Sequence, residues 1–148
     1  MTTPSTLSAP APGTTSSGLQ LRVYDTLGSL ESLRPAWDKL LAEVPTASIF
    51  STWEWLAAWW RAFGEEQQLR FLAFFDARQE LTGFAGLALT DQNFFRGYRL
   101  RLFRLMGDGS GDSDNLDIVA RPGFEHQIAD ALLQYLQSCR NKIGRAHV

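Results

Sequence analysis

Leu19, Leu21 and Val23 alternate with Gln20, Arg22 and Tyr24, a period of two that predicts a short strand. From Ser29 the period lengthens. Leu30, Leu33, Trp37, Leu40, Leu41 and Val44 recur at helical spacing, and Pro35 fits a helix only inside its first turn, which places that helix at about 33–42. Downstream, Ser51 and Glu54 stand in the S-x-x-E order of a capping box, Phe50 and Trp55 are spaced as a hydrophobic staple, and Gly64 offers an end. Between these signals Trp53, Trp55, Leu56, Trp59, Trp60 and Phe63 surround the axis almost completely. Such a helix is expected to be buried on most sides or to meet a partner.

Three strands are predicted next, at 69–75, 83–89 and 98–106, the first two joined as a hairpin by the short link 76–79. An acidic glycine loop, GDGSGDSD, leads into a short strand at 116–119, which Pro122 and Gly123 close. Phe124, Ile128, Ala131, Leu132, Tyr135, Leu136 and Cys139 then mark the apolar face of a final helix. The order is strand, helix, helix, three meandering strands, loop, short strand, helix. This predicts an α+β fold with a mixed, mainly antiparallel sheet flanked by helices.

The 148 residues suit one domain, with 45% hydrophobic and 20% charged residues in the ordinary globular range. Residues 1–18 are almost all Thr, Ser, Pro, Ala and Gly and are expected to be a disordered lead, with order over 19–140. A net charge of −2 leaves no basic excess for counterion release, which argues against a nucleic-acid partner. The single cysteine, Cys139, precludes an intramolecular disulfide, and one Cys with His126 and His147 is too few for a zinc site. No apolar run is long enough to span a bilayer, and the first residues lack the basic start and apolar core of a secretory signal. The expected setting is cytoplasmic.

The stretches SIFSTWEWLAAWW, LAFFDARQELTGFAGLAL and LRLFRLMGDGSGDSDNLDIVARPG, in this element order, resemble the GNAT-type acyltransferases. The likeness covers about 19–139 and is strongest to the CelD-like branch, related to the Fem aminoacyltransferases, whose members join two GNAT-like halves. It implies the N-terminal, acceptor-side part of an N-acyltransferase that moves an acyl group from acetyl-CoA or another acyl-CoA to an amine. The acceptor would be a small molecule or a sugar or peptide of the cell envelope. In the family, a loop of pattern R/Q-x-x-G-x-G/A cradles the pyrophosphate with backbone N–H groups. Arg104, Gly107 and Gly109 occupy its fixed positions here.

Two features oppose that assignment. The next predicted element is a strand rather than a helix, and Asp108, Asp112, Asp114 and Asp117 would set carboxylates against the pyrophosphate. An acidic surface turn is the stronger reading of the loop. The resemblance also implies that the working acyl-CoA site lies in the second half, so this chain by itself is expected to be inactive and to bind no acyl-CoA tightly. Ser51, Trp55, Asp114 and Asn115, at the ends of elements, are the candidates for touching acceptor. The rival function is a non-catalytic module that binds a sugar, peptide or protein through the tryptophan helix.

His126 is off the apolar stripe of its helix and reads as a solvated histidine, while Cys139 lies on the stripe as a small hydrophobe. Calcium spacing fails because Asp117 stands where the loop glycine belongs. Beyond Arg140 the amphipathic period stops, and 141–148 reads as an artefactual tail matching a frame of a sequencing adapter. The sheet is therefore expected to lack its completing strand, leaving a strand edge unpaired and an apolar helix face uncovered.

Overall fold

A computed structural model describes residues 13–14, 18–93, 95–107 and 118–144. Strand β1 (Gly13–Thr14) pairs with β2 (Gln20–Tyr24), so part of the segment expected to be a disordered lead joins the sheet. The rest of that lead, 1–12 and 15–17, lies outside the described residues.

Helix α1 (Leu27–Leu30) starts at Thr26, whose hydroxyl accepts from the Ser29 N–H at 3.2 Å. One 3₁₀ turn, Glu31–Leu33, joins it to α2 (Arg34–Glu43). Helical structure thus begins six residues before the expected start, because a cap at Thr26 lets the Leu30, Leu33, Trp37, Leu40 stripe run unbroken. Pro35 sits in the first turn of α2, where its missing N–H costs no bond.

Helix α3 (Trp53–Phe63) corrects the capping-box reading. Its N-cap is Thr52, whose hydroxyl accepts from the Trp55 N–H at 3.4 Å, and Ser51 belongs to the preceding 3₁₀ turn, Ile49–Ser51. The one-residue shift puts Trp55 rather than Glu54 at the position of a box glutamate. Glu54 instead pairs with Arg34 at 2.6 Å. The Phe50–Trp55 contact does form, edge to face with ring centroids 5.3 Å apart. The helix ends at Gly64, which keeps right-handed backbone angles. Glycine is needed there because a Cβ would lie 2.5 Å from the Trp60 carbonyl oxygen and 2.6 Å from its indole.

Strands β3 (Gln68–Phe75), β4 (Leu81–Asn93) and β5 (Arg99–Leu105) form the meander, and β2 pairs with β3. Every described ladder is antiparallel, so the expected mixed sheet is an open antiparallel one. Asp76 closes the β3–β4 hairpin by accepting from the N–H groups of Arg78 and Glu80. Strand β6 (Val119–Ala120) lies beyond β5 on the same side of β4. Leu105 and Val119, fourteen apart in sequence, face Leu87 and Phe84, three apart on β4. Strands β5 and β6 are therefore one edge strand interrupted by an excursion.

Helix α4 (Glu125–Gly144) runs past Arg140, where the amphipathic period stops. The sheet is covered on both faces, which is why β3 reads as an almost continuous apolar run. On one face α1–α3 bury Leu33, Trp37, Leu40, Leu56 and Trp59 against Phe71, Ala73, Phe84 and Ala88. On the other, α4 buries Ile128, Ala131 and Leu132 against Leu21, Leu72, Phe74 and Leu87. The apolar helix face expected to be uncovered is thus seated on the sheet. Among the described residues no further strand pairs with the outer edge of β5.

Candidate functional site

Of the sequence-derived candidates, Ser51 lies where α3 crosses the β4–β5 edge. Trp37, fully buried and stacked on Phe71 with centroids 4.8 Å apart, donates its indole N–H to the Ser51 carbonyl at 2.8 Å. A core tryptophan thus fixes the turn that introduces α3. Ser51, Phe50 and Leu56 then face Phe84, Gly86, Leu105 and Met106 across a small space of about 20 Å³, room for a single water. Gly86 permits this approach, since a Cβ there would meet the Met106 sulfur at 3.2 Å.

At this point the edge strand leaves the sheet. The Met106 N–H still donates to Gly86 at 2.8 Å, and Gly107 turns the chain with a φ of 100°, a left-handed value that favours glycine. The ladder resumes at Val119, and the Arg121 N–H extends it to the Thr82 carbonyl at 2.7 Å. Arg121 also pins this corner through its side chain. Its guanidinium meets Glu43 at 2.7 Å and Glu80 at 3.5 Å, tying α2 and the β3–β4 turn to β6.

Arg104 faces a different space. It lines an open cleft of about 400 Å³ with Trp59, Phe63, Glu65, Glu66, Gln67 and Thr90. Thr90 donates to the Gln67 side chain at 3.3 Å, and Gln67 donates to the Phe63 carbonyl at 2.7 Å, so this wall is held by the end of α3. The indole N–H of Trp59 is buried without a partner among the described residues. Trp59, Gln67 and Thr90 were not among the candidates from sequence, because no motif links a helix end to a distant strand. The paired Glu65 and Glu66 after Gly64 were the only local sign of this wall.

The structure therefore brings Ser51 beside Met106, sets Arg104 apart from them, and packs Trp55 on Phe50 outside both spaces. Gly109, Asp114 and Asn115 lie outside the described residues, as do Asp108, Asp112 and Asp117. Arg104 shares its cleft with two carboxylates, while Gly107 is buried at the strand exit. The described residues do not converge on one anion and build no pyrophosphate nest.

His126 is exposed on α4, and Cys139 is half-buried one turn from Tyr135. Burial, with the neighbouring Cys139 adding to it, pushes the Tyr135 hydroxyl up to about 12. Among the described residues no three His, Cys, Asp or Glu side chains come together, and no helix is long and apolar enough to cross a membrane. Compared with protein-family models, curated proteins and solved structures, the chain matches none.

Proposed function

We propose that this domain is the acceptor-side, N-terminal half of a GNAT-type N-acyltransferase of the CelD-like branch, which moves an acyl group from acyl-CoA to an amine. The observation that carries this reading is the break in the edge strand at Met106–Gly107, beside the start of α3, on a sheet whose first two long strands are separated by helices. At this break α3 brings Ser51 into the same small space as Leu105 and Met106. In the reaction the amine nitrogen attacks the thioester carbonyl, a C–N bond replaces the C–S bond, the amine proton goes to a base, and the CoA thiol leaves. The role of this half is to shape the acceptor cleft and exclude water, with acyl-CoA held by the second half.

The competing reading is a non-catalytic binding module: Trp53 and Trp59 are core residues and Trp55 packs on Phe50, and only Trp59 and Phe63 of α3 border the open cleft beside Arg104.

The test is to sequence the source DNA downstream of the Cys139 codon, express the whole reading frame, and follow thiol release from acetyl-CoA over a panel of amino sugars and amino acids. Amine-dependent thiol release from a two-half protein supports the reading. A frame without a second half, or no thiol release with any amine, refutes it. On the 148-residue chain a ligand at 100 times its Kd adds about 2.7 kcal/mol of stability, and the reading expects no such shift with acetyl-CoA.

A further inference from the structure

The β4–β5 hairpin leaves the body of the protein. Strand β4 is buried through Leu89 and Thr90 still meets Gln67 at the end of α3, whereas Asp91–Asn93 and the opposing Arg99–Arg101 are mostly exposed. Three ladder rungs, from Asp91 paired with Arg101 to Asn93 paired with Arg99, make a projection of about 7 Å at the usual rise of a strand. Beyond the last rung, in the five-residue connection, Arg96 and Gly97 take left-handed φ of 67° and 80°.

The composition of this tip differs from the rest of the surface. Phe95 is 82% exposed, Tyr98 73% and Leu100 43%, three of the six large hydrophobic side chains exposed among the described residues. Between Phe95 and Leu105 stand four arginines and no carboxylate, in a chain whose net charge is −2. Arg101 is neutralised by Asp91 at 2.9 Å. Arg96 lies over the Phe95 ring at 5.7 Å, and neither it nor Arg99 forms an ion pair with a described residue.

From this juxtaposition of exposed aromatic side chains and unpaired arginines on a projecting hairpin, we infer that the tip docks on a bilayer surface rich in anionic phospholipid. Phe95, Tyr98 and Leu100 enter the headgroup boundary, and Arg96 and Arg99 meet the phosphates. A lipid surface fits better than nucleic acid. The hairpin gathers only four of the fourteen basic residues of an acidic protein, and Leu100 offers no face on which a base could stack. The inference is independent of the acyltransferase reading and places no catalytic group in the hairpin.

The test is flotation of the 148-residue chain with vesicles, which separates bound protein from aggregates because aggregates sink. Vesicles of phosphatidylcholine with one-third phosphatidylglycerol carry the protein upward, pure phosphatidylcholine does not, and raising salt from about 50 mM to about 500 mM releases it. Each arginine is worth about fivefold in partitioning, so Arg96→Gln with Arg99→Gln lowers it about thirtyfold. Phe95→Ser with Tyr98→Ser lowers it as well, Leu133→Ser on the exposed side of α4 leaves it unchanged, and all variants melt as the parent does.

Equal flotation on both vesicle types, no flotation, or flotation indifferent to the hairpin variants overturns the inference. So does a single-stranded RNA that binds through the same arginines more tightly than the vesicles do. A change of oligomeric mass in the lipid-free hairpin variants would instead make the tip a contact between copies of this chain, and would equally overturn it.

Discussion

Replacing Gly83 by alanine sets local preference against tertiary packing. Gly83 lies inside β4 without a positive φ, so by chain entropy alone an alanine should stabilise the protein by about 0.5–1 kcal/mol. In the fold, however, a Cβ at this position would sit 2.4 Å from the Ile128 δ-carbon and 2.5 Å from the Val119 carbonyl oxygen. The methyl group of Ile128 can rotate away, but the Val119 carbonyl is backbone of a two-residue strand held by Gly83 and Phe84. It can withdraw only by shifting β6. Overpacking of this kind costs about 1–3 kcal/mol, and loosening β6 weakens two or three backbone bonds at about 1 kcal/mol each. After the entropic gain is subtracted, Gly83→Ala is expected to destabilise by about 2–5 kcal/mol, a fall in Tm of about 5–15 °C for a chain of this length.

The assay is a urea titration of the two proteins, with amide hydrogen exchange at Val119–Arg121 to locate the opening. Gly28→Ala is the control, because Gly28 lies in α1 with nothing within 4 Å of the new methyl group and should stabilise by about 1 kcal/mol. A Gly83→Ala protein as stable as its parent, or more stable, would refute the claim that β6 and α4 clamp β4 at this glycine.

Three further outcomes are expected. Trp37→Phe should cost about 2–4 kcal/mol by denaturant titration, from lost ring volume and from a Ser51 carbonyl left without its indole donor. Thr52→Ala should cost about 1 kcal/mol as loss of an N-cap, and Ser51→Ala less than half of that, the reverse of what the S-x-x-E pattern suggests. Tyr135 should ionise near 12 by phenolate absorbance. Its folded value is raised, so the unfolded chain gives up this proton first, and its contribution to stability is intact below pH 10 and lost between about 10 and 12. Tyr135→Phe should flatten that part of the stability–pH curve relative to the parent.

Much of the fold was readable along the chain because its signals are local. Alternation at 19–24, the Leu30–Leu40 stripe, the aromatic helix closed by Gly64, and the Asp76 turn are each settled within a few residues, and all four elements form. One error was of register. Ser51 and Thr52 both suit a cap, and the choice of Thr52 follows from where Trp37 holds the Ser51 carbonyl, fourteen residues away in sequence. The candidate site was readable only in part for the same reason. Ser51 and Gly107 could be named from their neighbours, but nothing local shows that Ser51 meets Met106, or that Arg104 faces Trp59 and Glu66 rather than Gly107.

By itself the sequence determined most of the longer elements, their order and the antiparallel meander, since periodicity, caps and turn residues act over one or two helical turns. Only the tertiary structure decided that α4 covers the second face of the sheet, that β5 and β6 are one interrupted strand, and that the tip of the Arg-rich hairpin is exposed. Those outcomes depend on which buried surfaces meet across the chain, and neither burial nor close approach between distant residues is encoded in the spacing of near neighbours.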